Sequence, residues 1–313
     1  MKKHIYIYSP SGAVRDKAAF QRGVRRLKAL GHEVEVDVDA LASKTRFAGD
    51  EAQRVAAIHR AADSGADVAL ISRGGYGLSR ILGDIDYRRL ARAIDAKTQF
   101  LGISDFTALQ LALLAQTKSI TWAGPALCEG FGVAPLPDDI MEDCFNDMLL
   151  GQGEGVGWRR SIARSRAALA AEAASPAEWG VSNATLWGGN LAMLVSLLGT
   201  PYFPAIKGGV LFLEDIGEHP YRIERMLTQL LHAGVLAKQK AIVLGQFTGY
   251  QLGPHDKGFN LAEVQRWLRT QIATPIIDQL PYGHVQTKVL LPVGARVDLA
   301  VQGRDVLLAW GHL

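Results

Sequence analysis

The side chains best suited to chemistry are a serine, an acid and a histidine far apart in the chain. Gly102-Ile103-Ser104-Asp105-Phe106 follows the apolar pair Phe100-Leu101 and precedes a stretch carrying Leu109, Leu111, Leu113 and Leu114. A strand that breaks at Ser104 and gives way at once to a helix would lift the hydroxyl above the strand ends. It would also bring the next backbone N–H groups toward a developing oxyanion. The match to G-x-S-x-G is partial, because Phe106 stands where the second glycine belongs. A serine before a helix is also a common N-cap. Arg73-Gly74-Gly75-Tyr76-Gly77-Leu78-Ser79-Arg80 follows another apolar run. Three glycines in four residues let the backbone approach a ligand closely, as an oxyanion donor, a substrate cradle or a phosphate loop. A plain tight turn is the alternative. The spacing reads G-x-G-x-x-R, which lacks the third glycine of the dinucleotide fingerprint, and no Walker A sequence is present.

Glu214 and Asp215 end the apolar run Val210-Leu211-Phe212-Leu213. An acid there could orient a histidine and stabilise its cation; the alternative is an acid favoured by the dipole of the helix beyond, a role that Glu218 fits better. His284 lies in Pro281-Tyr282-Gly283-His284-Val285, a turn from which an imidazole can reach a cleft or simply face solvent. The order serine, acid, histidine is that of the α/β-hydrolases, although triad chemistry requires no particular order. No histidine stands in an H-E-x-x-H spacing, and Cys128 and Cys144 form no CxxC. No metal and no cofactor are expected.

The elements that must position these groups alternate in the first half. Ile5 to Tyr8, Val34 to Val38, Val68 to Ile71 and Phe100 to Ile103 read as strands. Phe20, Val24, Leu27 and Leu30 recur at helical spacing before Gly31, and residues 51–62 read as a second helix. This βαβ rhythm predicts a parallel sheet with helices on both faces. Residues 151–182 turn Gly-rich and then Ala-, Ser- and Arg-rich, and read as a linker. The expected division is an α/β domain over 1–150, a linker over 151–182 and a second domain over 183–313. In that second domain a helix begins near Pro220, Ala241 to Gly245 is a buried strand, and segments near 288–292, 296–300 and 306–310 read as a closing antiparallel set.

The chain has 313 residues, 48% of them hydrophobic and 21% charged, which is ordinary globular composition. Lys and Arg number 34 against 31 Asp and Glu, and they are scattered, so no nucleic-acid stripe is visible. The local cluster Arg159, Arg160, Arg164 and Arg166 reads as a solvated face. Two cysteines are compatible with a reducing compartment. The N-terminal apolar run is too short for a signal-peptide core, and no run approaches the ~18 residues that span a bilayer. The expectation is a soluble cytoplasmic protein without a membrane or nucleic-acid partner.

As an ordered set, several segments resemble the LD-carboxypeptidases. They are Ser9-Pro10-Ser11-Gly12, Arg73-Gly74-Gly75-Tyr76-Gly77, Ser104-Asp105-Phe106-Thr107, Leu186-Trp187-Gly188-Gly189-Asn190-Leu191, Gly199-Thr200-Pro201, Leu213-Glu214-Asp215, Glu218-His219-Pro220 and Gly283-His284. The resemblance implies Ser104 as nucleophile, Glu214 as triad acid and His284 as base. It implies oxyanion-hole amides at Gly75, or its neighbour Gly74, and at Asp105. It further implies a flavodoxin-like N-terminal domain, a smaller β-rich C-terminal domain, an active site between them, and a homodimer. The implied reaction releases the terminal D-alanine of a murein tetrapeptide during cell-wall recycling by cleaving an L,D-peptide bond. Arg73 and Arg80 flank the glycine loop and are candidates for the substrate carboxylate, with structural salt bridges as the alternative. A related serine hydrolase acting on a peptidyl-nucleotide antibiotic in self-immunity, or a non-catalytic ligand-binding protein, are the competing readings.

Overall fold

The computed structural model describes residues 2–161 and 178–313. Arg164, Arg166 and half of the expected linker, residues 162–177, lie outside the described residues. The chain divides into two compact units: residues 1–153 with 197–204 and 286–294, and residues 154–196 with 205–285 and 295–313.

The first unit is built on β1 (His4–Tyr8), β2 (Glu33–Val36), β3 (Val68–Ile71), β4 (Gln99–Gly102) and β5 (Thr121–Ala123). Their parallel order is β2-β1-β3-β4-β5, the flavodoxin-like arrangement. Ile5, Ile7, Leu70 and Leu101 are fully buried, as strands covered on both faces require. The crossover helices are α1 (Lys17–Ala29), α2 (Glu51–Asp63), α3 (Tyr87–Asp95) and α4 (Thr107–Thr117), with α5 (Asp139–Leu150) after β5. Asp16, Asp50, Asp86 and Asp138 cap the first, second, third and fifth of these, each accepting a backbone N–H of the first turn. The strand order reverses between β1 and β3, and ligands of open parallel sheets bind outside the carboxyl ends at such a point. The Ser9–Gly12 turn, the Arg73–Gly77 loop and Ser104 all leave from those ends.

The second unit holds β6 (Gly155–Arg159), β7 (Glu178–Asn190), β8 (Val210–Ile216), β9 (Ala241–Thr248), β10 (Ile276–Ile277), β12 (Arg296–Gln302) and β13 (Asp305–Ala309). The order is β10-β9-β8-β7-β12-β13-β6, parallel from β10 to β7 and antiparallel beyond. Helices α6 (Leu191–Ser196), α7 (Pro220–His232) and α8 (Leu261–Gln271) complete it. Pro220 sits in the first turn of α7, where its missing N–H costs nothing.

Three features differ from the sequence expectation. Gly155–Arg159, inside the expected linker, is an edge strand whose Val156 and Trp158 point inward, an alternation hidden by the preceding glycines. Arg160, expected on a solvated face, is buried and donates to the Gly303 carbonyl at 2.6 Å. The first of the three closing segments, β11 (Leu291–Val293), pairs antiparallel with β5 of the first unit's sheet rather than with β12.

Gly188 shows how tightly β7 meets β8. Its φ is +131°, and a Cβ there would land on the Phe212 carbonyl oxygen. Gly188→Ala is expected to lose about 2–4 kcal/mol of stability through strain and strand separation. Urea unfolding checks this, and an unchanged midpoint would mean that the two strands spread freely.

Candidate active site

Ser104 follows β4 and opens the short helical turn that leads into α4. Its φ is +67°, the left-handed region, which an L-residue with a side chain rarely adopts. Such a turn holds a side chain out from the strand end. The Asp105 amide is the first N–H beyond Ser104, within the short turn that leads into α4. The glycine loop lies directly against the serine. A Cβ on Gly74 would stand 2.6 Å from the Ser104 Cβ, so only glycine fits at this contact. Gly75 is exposed with φ +113°, and its Cα stands close to the backbone of Gly12.

The Asp105 side chain ties these segments together, a role that reading the sequence for backbone donors alone does not reveal. The carboxylate is fully buried, and its Oδ2 accepts the Ser11 hydroxyl at 2.7 Å and the Leu78 amide at 2.9 Å. Burial pushes its pKa up, against the pull of those hydrogen bonds and of Arg54. Arg54 is itself fully buried and donates to the Gly77 carbonyl at 2.7 Å. Three motifs far apart in sequence, at Ser11, Gly77-Leu78 and Asp105, thus share one buried polar cluster.

In the second unit Glu214 is fully buried near the end of β8. Its Oε2 lies 2.8 Å from His284 Nδ1, and its Oε1 accepts from Asn190 Nδ2 at 3.2 Å. In a neutral imidazole the ring nitrogen that faces a carboxylate carries the proton. The histidine loop is fastened to β9: Leu280 N–H donates to Leu244, and Gln246 N–H to Tyr282. A Cβ on Gly283 would stand 3.2 Å from Glu214 Oε2, where φ is +139°. Glycine before His284 therefore leaves room for the carboxylate that orients the ring. Asn190 lies in a segment singled out by its motif but not by its role; only its pairing with Glu214 reveals the role.

The two candidate arginines differ. Arg80 pairs with Glu51 at 2.5 Å and lies over the Phe47 ring, 4.9 Å from its centroid. Arg73 is mostly buried, 3.6 Å from Glu129, and donates to the Ala13 carbonyl. Among the described residues no group of three or more His, Cys, Asp or Glu is arranged to hold a metal, and no helix is long and apolar enough to cross a membrane.

Family models for the LD-carboxypeptidase N-terminal and C-terminal domains match residues 5–124 and 183–299. The muramoyltetrapeptide carboxypeptidase of Oxalobacter formigenes is 36% identical in sequence, with a TM-score of 0.86 over 98% of both chains. The chain belongs to the LD-carboxypeptidase family. It is therefore a peptidase with the two-domain fold of that family. The murein tetrapeptide carboxypeptidase of Pseudomonas aeruginosa is 28% identical over 93% of this chain and 91% of its own. The microcin C7 self-immunity protein MccF of Escherichia coli is 26% identical over 77% of this chain and 73% of its own.

In this LD-carboxypeptidase Asp215 carries the strain of two adjacent buried acids. Burial, and then the Glu214 charge, raise its pKa from 3.8 to about 6, although Asn190, Ile216 N and Ala192 N all donate to it. The native state therefore holds this proton more tightly than the unfolded chain. Stability from the group is complete below about pH 4 and is lost as pH rises through about 6. The change corresponds to on the order of 3 kcal/mol. The unfolding free energy of wild type minus that of Asp215→Asn should fall by about this amount between pH 4 and 7. Denaturant titrations at both pH values measure it, and a flat difference contradicts the account.

Proposed function

We propose that this peptidase hydrolyses the L,D-peptide bond that holds the terminal D-alanine of murein tetrapeptides, with Ser104, Glu214 and His284 as its triad. The observation that carries the proposal is the 2.8 Å contact between His284 Nδ1 and the buried Glu214 carboxylate, which prepares the imidazole to act as a base. The left-handed turn at Ser104 supports that residue as nucleophile. The names of the Oxalobacter and Pseudomonas relatives support the substrate.

In this mechanism His284 Nε2 takes the Ser104 proton as Oγ attacks the carbonyl carbon. The amides of Gly75 and Asp105 receive the oxyanion, and Glu214 stabilises the imidazolium. When the tetrahedral species collapses, the C–N bond breaks and His284 gives its proton to the departing D-alanine amine. Water, deprotonated by the same imidazole, then attacks the acyl-enzyme and frees Ser104. Arg73 is the proposed partner of the substrate's terminal carboxylate. The close pairing of Arg80 with Glu51 favours a structural role for that residue.

Peptidyl-nucleotide hydrolysis in self-immunity is the second reading, supported by the lower identity to MccF. The proposal includes a cytoplasmic location, with which the free thiols of Cys128 and Cys144 agree. It also includes a homodimer, which should sediment at twice the 33.9 kDa chain mass; a single-chain mass at micromolar concentration would exclude that state.

Incubation with L,D- and D,D-linked tetrapeptides and with an aminoacyl nucleotide separates the activities. The expected product is D-alanine from the L,D-linked peptide only. Ser104→Ala should lower kcat by at least about a thousandfold while still binding peptide. A non-catalytic binder would release nothing before or after the substitution, and nucleotide release without D-alanine would favour the second reading.

A further inference from the structure

One peptide group of the glycine loop is held at both ends by buried charges. The Gly77 carbonyl accepts from Arg54 Nη1 at 2.7 Å, and the N–H of the same peptide unit, that of Leu78, donates to Asp105 Oδ2 at 2.9 Å. The peptide presents its oxygen to a cation and its hydrogen to an anion, so each bond strengthens the other. Arg54 and Asp105 are both fully buried. Only glycine fits at position 77, where φ is +149° and a Cβ would stand 2.5 Å from Arg54 Nη1.

Packing alone does not account for an arginine at this place. Arg54 Nε and Nη2 make no hydrogen bond, and Glu51, 3.9 Å from Nη2, is taken up by Arg80 at 2.5 Å. The Phe47 ring covers the guanidinium, with its centroid 4.9 Å away. A buried cation with two nitrogens unsatisfied costs stability, and an apolar side chain of similar volume would serve the core better. What the arginine adds is a charge opposite to that of Asp105. The Asp105 carboxylate belongs to the residue whose amide is proposed to receive the oxyanion. In a dry site an uncompensated anion there would oppose a second negative charge developing beside it. Arg54 is a cation whose charge acts on that carboxylate.

We propose that Arg54 is a positioning residue for the reaction. It anchors the Gly77–Leu78 peptide, and through it the Gly74-Gly75 turn packed on Ser104, and it offsets the Asp105 charge behind the oxyanion amide. The proposal rests on Ser104 as nucleophile but not on the identity of the peptide that is cleaved. It gives a catalytic consequence to a side chain of α2 that acts only through the glycine loop and Asp105.

The test labels the full chain with a fluorophosphonate, so that no peptide substrate need be known. Ser104 Oγ gives its proton to the base and bonds to phosphorus while fluoride leaves. Mass spectrometry follows the adduct, and the dependence on probe concentration separates probe binding, KI, from bond formation, kinact. Arg54→Met should lower kinact by about tenfold or more with KI within about twofold, since a charge-assisted contact is lost and a buried anion is left unpaired. Adding Asp105→Asn should raise kinact again, because the amide oxygen can still accept from Leu78 and Ser11 while the stranded charge is gone. Thermal unfolding shows which variants are folded at the assay temperature. If Arg54→Met does not fold, Asp105→Asn takes its place in the comparison: it strands the guanidinium instead and should lower kinact by a similar factor, and the double variant should again recover. A wild-type kinact in the single variant, or a double variant no faster than the single one, would overturn the proposal. A wild-type protein left unlabelled at Ser104 would overturn the nucleophile assignment, and the role of Arg54 with it.

Discussion

A carboxylate removed from water needs hydrogen-bond partners for its oxygens, and Glu214 is such a carboxylate. With no exposed surface it depends on Asn190 at one oxygen and His284 at the other. This demand reaches well beyond the acid itself. It draws the end of β7, the end of β8 and the Pro281–Val285 turn onto one point. The turn is then held from its other side by backbone bonds to β9. The histidine is therefore oriented by the same buried charge that it would serve in catalysis, and rotating the ring away would strand that charge. Asp215 shares the consequence: its own burial, and then the second buried acid beside it, let its carboxyl keep its proton to higher pH.

The first unit solves a similar problem with different partners. Asp105 is also a fully buried acid just beyond a strand end, and it binds a hydroxyl and a backbone amide rather than an imidazole. Its partners come from the turn after β1 and the loop after β3. The glycine loop is thereby fixed relative to Ser104 through the Asp105 side chain. In both units the acid sits on a rigid element and the loops are tied to it. Loops that would otherwise sample many conformations acquire the positions that a reacting group needs.

The parallel sheet was legible because its strands are continuous apolar runs alternating with amphipathic helices, a pattern that depends on local residues alone. Ser104, Glu214 and His284 could be nominated because each ends such a run or occupies a turn beside glycine. The pairing of Glu214 with His284 could not be read from spacing, since 70 residues separate them. The buried roles of Ser11, Asn190 and the Asp105 side chain were equally hidden. Each carries a polar group whose partner comes from another strand end, and nothing local marks it. The edge strand at Gly155–Arg159 was obscured for another reason. Its glycines weaken the apparent propensity, while its stability comes from pairing with β13, which lies near the end of the chain.

The arginines make the same point from the side of charge. Arg73 and Arg80 stand out in the sequence because they flank a glycine loop, yet proximity along the chain says little about whether a guanidinium is available to a ligand. Availability depends on which acid the fold brings near. Glu51, on α2, occupies Arg80 at 2.5 Å, and the Phe47 ring covers its face. Arg73 meets Glu129, from the segment after β5, at 3.6 Å. Arg15, unremarkable in sequence, meets no acid at all among the described residues, although it lines a cavity beside the same loop. An exposed cation without a partner does little for stability. The fold's allocation of acids, rather than the order of residues, decides which arginine is held and which faces solvent.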